Sequence, residues 1–197
     1  MCRVIQAMSD ADLLSLLVGP RSAQRLLHDA GRSLYVVFND EEAVRGPDRR
    51  AERKVKVAKE LVRRMLREAL RKRDTLSSPL LVRDFLRTSL DGREYEVFMG
   101  IFLDSQNRLI AAEEMFRGTL TQTSVFPREV VKRSLYFNAA AVIFAHNHPS
   151  GLAEPSFADE ALTRALKQAL ALVDVKVLDH FIVAGGGVLS FCERGLL

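Results

Sequence analysis

The stretch A-H-N-H-P-S-G-L-A-E-P-S-F-A-D, Ala145 to Asp159, decides how the rest of the chain is read. It follows A-A-A-V-I-F-A, Ala139 to Ala145, an apolar run that reads as a buried strand. His146 and His148 fall at i and i+2 where that strand ends, so both imidazoles project to one side of an extended segment. The lead-in needs no imidazole for packing, and burying two polar rings there is costly. Asp159 follows a short loop. Two His and one Asp leave the fourth position of a tetrahedral zinc open, the mark of a catalytic rather than a structural site. Asp159 has a competing explanation, because Ser156-x-x-Asp159 is close to a helix capping box. A carboxylate has two oxygens, so the two roles can coexist.

Outward from this stretch, strands and helices alternate. Glu96 to Asp104 (E-V-F-M-G-I-F-L-D) is almost continuously apolar, as in a strand buried on both faces. D-S-Q-N-R makes a hairpin turn into a returning strand, Leu109 to Phe116, and 117–123 read as loop or short strand. A helix follows with Pro127 in its first turn. Another runs from Ser156 to about Leu172, then a strand through V-K-V-L-D-H-F-I-V-A. Gly185-Gly186-Gly187 reads as a hairpin turn into a last strand, since neither a Lys nor a helix follows to make a phosphate loop. Cys192, in S-F-C-E-R, reads as strand packing. The pattern is α/β (α+β), a mixed central sheet with flanking helices.

The half before this is helical. Residues 10–18 and 21–30 read as helices parted by Gly19-Pro20, and a long basic helix, about 48–73, follows a second break at Gly46-Pro47. Its apolar positions Val55, Val57, Ala58, Leu61, Val62, Met65 and Leu66 leave Lys and Arg on the opposite face. The two Gly-Pro breaks resemble a weak helix-hairpin-helix repeat, a device that offers backbone N–H groups to phosphate. D-T-L-S-S-P, Asp74 to Pro79, is the boundary, with Ser78 and Pro79 starting the next helix. The domains are then 1–75 and 76–197. Residues 1–90 hold 19 Lys and Arg against 12 Asp and Glu, a balance of +7, and residues 91–197 hold 10 against 13, a balance of −3. The basic half admits a nucleic-acid partner, or simply a solvated basic face.

Hydrophobic residues make up 48% of the 197, enough for a sizeable core, and the absence of Trp argues against a base-stacking platform. No apolar run is long enough to span a bilayer and the start lacks a signal-peptide pattern, so no membrane partner is expected. Two cysteines near opposite ends, Cys2 and Cys192, do not form a disulfide framework, which suggests a cytoplasmic protein with reduced thiols.

H-x-H, seven residues, then S-x-x-D is similar to the JAMM motif of MPN+ metalloproteases. The flanking E-V-F-M-G-I-F-L-D-S-Q-N-R-L-I-A, F-R-G-T-L, P-R-E-V-V-K-R and V-L-D-H-F-I-V resemble RadC-like JAB-domain proteins over about residues 75–197. The resemblance implies an MPN/JAB-type, cytidine-deaminase-like fold behind a small helical domain. That domain looks like a shortened helix-hairpin-helix pair without the usual Gly-x-Gly hairpins. The resemblance further implies one Zn2+ per chain held by His146, His148 and Asp159, Ser156 beside the reacting oxygen, Glu96 as general base, and a peptide or protein substrate. From residues alone Glu94, Glu113 and Glu114 compete with Glu96. Asp179-His180 is similar to the family's D-H pair, and His180 reads either as support for a metal ligand or as a hydrogen-bonded strand residue.

Overall fold

The computed structural model describes residues 5–118 and 124–197. Cys2 and residues 119–123, part of the segment read from the sequence as loop or short strand, lie outside the described residues. The chain divides into two compact units, Met1–Arg64 and Met65–Leu197.

The first unit is helical: α1 Asp10–Val18, α2 Pro20–Asp29, α3 Leu34–Asn39, α4 Glu41–Val44 and the start of α5 Arg49–Lys72. Ser9 caps α1 by accepting from Asp12 N at 3.2 Å. Gly19 turns the chain with φ +95° and Pro20 opens α2, where its missing N–H costs nothing. Asp48 caps α5, accepting from the amides of Arg50 and Ala51. Leu14, Ala23, Leu26, Val37, Ala51 and Val55 form the buried core. The segment L-Y-V-V-F, to which the sequence pattern assigned no element, is α3, started by Ser33 accepting from Val36 N. The apolar stripe expected on α5 is buried only in part. Val57, Leu61 and Met65 are 52%, 63% and 61% exposed. Val57 stands about 200° around the helix from Val55, so a core that closes on Val55 leaves this line outside.

The second unit follows the expected alternation: α6 Pro79–Leu90, β1 Val97–Leu103, β2 Leu109–Arg117, α7 Pro127–Tyr136, β3 Ala141–Asn147, α8 Phe157–Ala171, β4 Lys176–Ala184 and β5 Gly187–Ser190. The sheet order is β2-β1-β3-β4-β5, with β3 and β4 parallel and the other neighbours antiparallel. It is a mixed sheet with helices on both faces. Every residue of β1 and of β3 is buried, as continuous apolar runs require. Val97, Met99, Ile101 and Leu103 join Phe85, Leu86 and Leu90 of α6 in one core. Phe98, Phe102, Val142 and Phe144 join Val130 of α7 and Leu166 and Leu170 of α8 in the other. Each fully buried Phe or Leu contributes about 1.5–3 kcal/mol.

Two turns frame the end of β3. Gly185 and Gly186, with φ +54° and +79°, form the two-residue turn between β4 and β5. A Cβ at Gly185 would come 2.7 Å from the Gly151 carbonyl oxygen, so this turn lies against the loop after His148. Cys192 is not in a strand: it falls in the turn after β5 and is exposed. The chain bends there because buried Asp179 collects the Cys192 amide at 3.0 Å.

Candidate metal centre

His146 lies at the buried end of β3, and His148 follows one residue beyond the strand, half-buried. Alternation sends both imidazoles to the α7–α8 face, where the His146 ring stacks on Phe98 at 6.4 Å between centroids. Asp159 reaches the same point from the first turn of α8. His146 Nε2 and His148 Nε2 are 2.9 Å apart, and the Asp159 oxygens lie 3.2 Å from the first and 3.5 Å from the second. Among the described residues these three form a grouping able to share one ion.

The donor set suits zinc. A tetrahedral site with bonds of about 2.0–2.2 Å sets donors roughly 3.3 Å apart, and the observed separations bracket that spacing. The Nδ1 of His148 is 2.9 Å from the Leu152 carbonyl oxygen, which can only accept. Nδ1 therefore carries the proton, and in the neutral ring Nε2 presents a lone pair.

The geometry shows Asp159 in the capping role and leaves it positioned to serve as a ligand as well. Its Oδ2 accepts from the Ser156 amide at 2.7 Å and from Ser156 Oγ at 2.6 Å, while its own amide donates to Ser156 Oγ at 3.2 Å. This is a complete capping box, and it fixes the carboxylate facing the histidines. Burial pushes the Asp159 carboxyl up, but the imidazoles of His146 and His148 more than reverse this and hold it far below the ordinary carboxylate range. The Asp159 hydrogen bond raises His148 against burial, and the Leu152 carbonyl and the charge of Glu96 add to the rise. In this arrangement the Ser156 proton goes to Asp159. Donating to a substrate oxygen requires the hydroxyl to release that carboxylate.

Glu96 immediately precedes β1. Phe98 pairs with His146 at the last rung of the β1–β3 ladder, and Glu96 lies two residues before Phe98 as His148 lies two after His146. Strand alternation carried back from Phe98 puts Glu96 on the side of the two histidines, and its charge is among the causes that raise His148. The competing carboxylates lie elsewhere or are engaged. Glu113 forms an ion pair with Arg133. Glu114 bridges Arg93 and Arg117 at 2.8 and 2.9 Å. Glu94 is exposed.

Asn147 was not singled out from the sequence. Its side chain points to the opposite side of the sheet from the histidines and is 3% exposed. Oδ1 accepts from Val97 N at 2.8 Å and Nδ2 donates to Tyr95 O at 3.0 Å. One amide thus ties the segment carrying Glu96 to the strand end carrying the histidines. An Asn between two such histidines was the available signal, since a primary amide offers an acceptor and a donor on separate atoms. Asn147→Asp keeps the acceptor but sets a carboxylate oxygen against the Tyr95 carbonyl, and Asn147→Ala strips both bonds. Each variant is expected to lose about 1–3 kcal/mol, measured by denaturant unfolding against the parent chain.

His180 of β4 is fully buried, and burial holds it well below the ordinary histidine pKa. Its Nε2 lies 2.9 Å from His146 Nδ1 and its Nδ1 2.6 Å from Thr163 Oγ1. Asp179, its neighbour, faces the other core, accepting from Ser190 Oγ and from the amides of His180 and Cys192. Burial raises its carboxyl despite these donors.

A family model described as RadC-like JAB domain matches residues 76–196. A UPF0758 protein of Nitrosospira multiformis is 53% identical over 203 residues, covering 96% of this chain and 90% of the relative. A UPF0758 protein of Dechloromonas aromatica is 54% identical over 204 residues, with 97% and 90% covered. One from Nitrosomonas eutropha is 65% identical over 138 residues, 70% of this chain and 62% of its own.

Proposed function

The chain belongs to the RadC-like JAB-domain family, and on that footing we propose that it is a zinc-dependent hydrolase of peptide or isopeptide bonds. One observation carries the reading: two imidazole nitrogens and a capped carboxylate converge on one point, with the charge of Glu96 near enough to raise His148. His146, His148 and Asp159 are the proposed ligands of one Zn2+. When bound, zinc lowers the pKa of a coordinated water to around 7 and polarises the scissile carbonyl.

The chain's own residues supply the rest. Glu96 accepts the proton of the attacking water and returns it to the leaving amine. Ser156 holds Asp159 through the capping box, and its hydroxyl, once released from that carboxylate, is the proposed donor to the substrate oxygen. Phe98 backs the His146 and His180 rings and keeps water out from beneath them.

Nucleic-acid binding by the basic N-terminal helices is the subordinate reading. Several α5 cations are engaged within the helix: Arg63 and Arg64 with Glu60, Lys56 with Glu52. No helix of the described residues is long and apolar enough to cross a membrane.

The test is bound-metal analysis of the purified chain together with an isopeptide and peptide cleavage screen. The expected result is one zinc per chain and cleavage that disappears on chelation and returns with zinc. A chain that takes up no zinc overturns the proposal.

A further inference from the structure

The buried hydrogen bonds behind His146 have a determined direction. Thr163 Oγ1 lies 2.6 Å from the Asp159 carbonyl oxygen, four residues back in α8, and that oxygen can only accept. The single hydroxyl proton is spent there, so Thr163 Oγ1 accepts from the Nδ1–H of His180 at 2.6 Å. A neutral imidazole with Nδ1 protonated has a bare Nε2. His180 Nε2 must then accept from His146 Nδ1–H at 2.9 Å, which leaves the Nε2 of His146 bare and facing His148 and Asp159. His180 and Thr163 are 0% and 1% exposed, so these bonds are shut off from bulk solvent. On the other side the Leu152 carbonyl sets the same tautomer in His148. The chain of bonds begins at the main-chain carbonyl of Asp159 and ends beside its carboxylate.

We propose that Thr163 and His180 are positioning residues that orient and proton-order His146, so that its Nε2 lone pair faces a divalent cation before the cation arrives. Neither touches the ion or a substrate. This rests on the metal reading above. The rotor of a hydroxyl fixed by an α-helical carbonyl is thereby the origin of the order, and His180 transmits it across β4 to β3. Without it, His146 could carry its proton on Nε2 and present N–H where a ligand is needed.

Two measurements test this. Long-range 15N–1H correlation spectra of the metal-free full chain, at mildly alkaline pH, report which nitrogen of each ring carries the proton. The expected pattern is Nδ1–H for both His146 and His180. Nε2–H on His146 overturns the proposal, whether or not the chain binds zinc. Thr163→Val removes the acceptor at nearly constant volume and Thr163→Ser restores it. The valine variant is expected to lose the single pattern and to bind zinc about 10–100-fold more weakly, with serine returning both. A valine variant that stays folded by circular dichroism with parental zinc affinity and the parental tautomers also overturns it. Failure of the parent chain to bind zinc while showing the expected tautomers rejects the metal reading alone.

Discussion

Glu96→Gln is expected to retain one zinc per chain and to cleave about 10²–10⁴-fold more slowly than the parent, the range set by loss of a general base. The substitution keeps the length and hydrogen-bonding shape of the side chain and removes only its ability to take a proton. It leaves His146, His148 and Asp159 in place, so metal content should not move. The prediction is specific because the charge of Glu96 bears on His148, whereas Glu113 pairs with Arg133 and Glu114 with Arg93 and Arg117. Glu113→Gln and Glu114→Gln should therefore stay within a few-fold of the parent. Single-turnover assays on the zinc-loaded variants measure the difference. A Glu96→Gln rate equal to the parent's, or a matching loss in Glu114→Gln, would remove Glu96 from the role.

The second large effect is on metal binding itself. His148→Ala should abolish stoichiometric zinc and with it all cleavage, with affinity falling on the order of 10³-fold or more, since a bound zinc is worth ~10 kcal/mol or more shared among few ligands. His148 is the informative ligand because it sits just past the end of β3, half-buried and outside the ladder. Its removal frees the Leu152 carbonyl in a loop open to solvent. His146→Ala is harder to interpret, since that ring is buried between Phe98 and His180. Zinc content by elemental analysis, with unchanged circular dichroism, checks the result. Full zinc occupancy in His148→Ala would falsify the ligand assignment.

What could be read in the sequence was whatever lies close along the chain. The two apolar runs gave β1 and β3 because strands buried on both faces have no polar alternation to lose. His146, His148 and Asp159 stood out because strand period and helix-start spacing bring them together locally. The hydrogen bonds that order them did not, because Thr163 and His180 meet His146 only through the parallel pairing of β3 with β4 and the packing of α8. Glu96 could not be separated from Glu94, Glu113 and Glu114 by residue type. Only the Phe98–His146 register singles out its position. Cys192 and the α5 stripe misled for the same reason: hydrophobic pattern states which residues can pack, not which ones find a neighbour.

The capping box at the start of α8 has an electrical consequence. A helix N-terminus carries roughly half a positive charge, and Asp159 Oδ2 already shares its negative charge with the Ser156 amide and hydroxyl. The carboxylate therefore has less electron density to give to a cation than a solvated one would. An ion held by two neutral imidazoles and such a muted anion would keep more of its own charge, so the first turn of a helix would tune how strongly it polarises a fourth ligand.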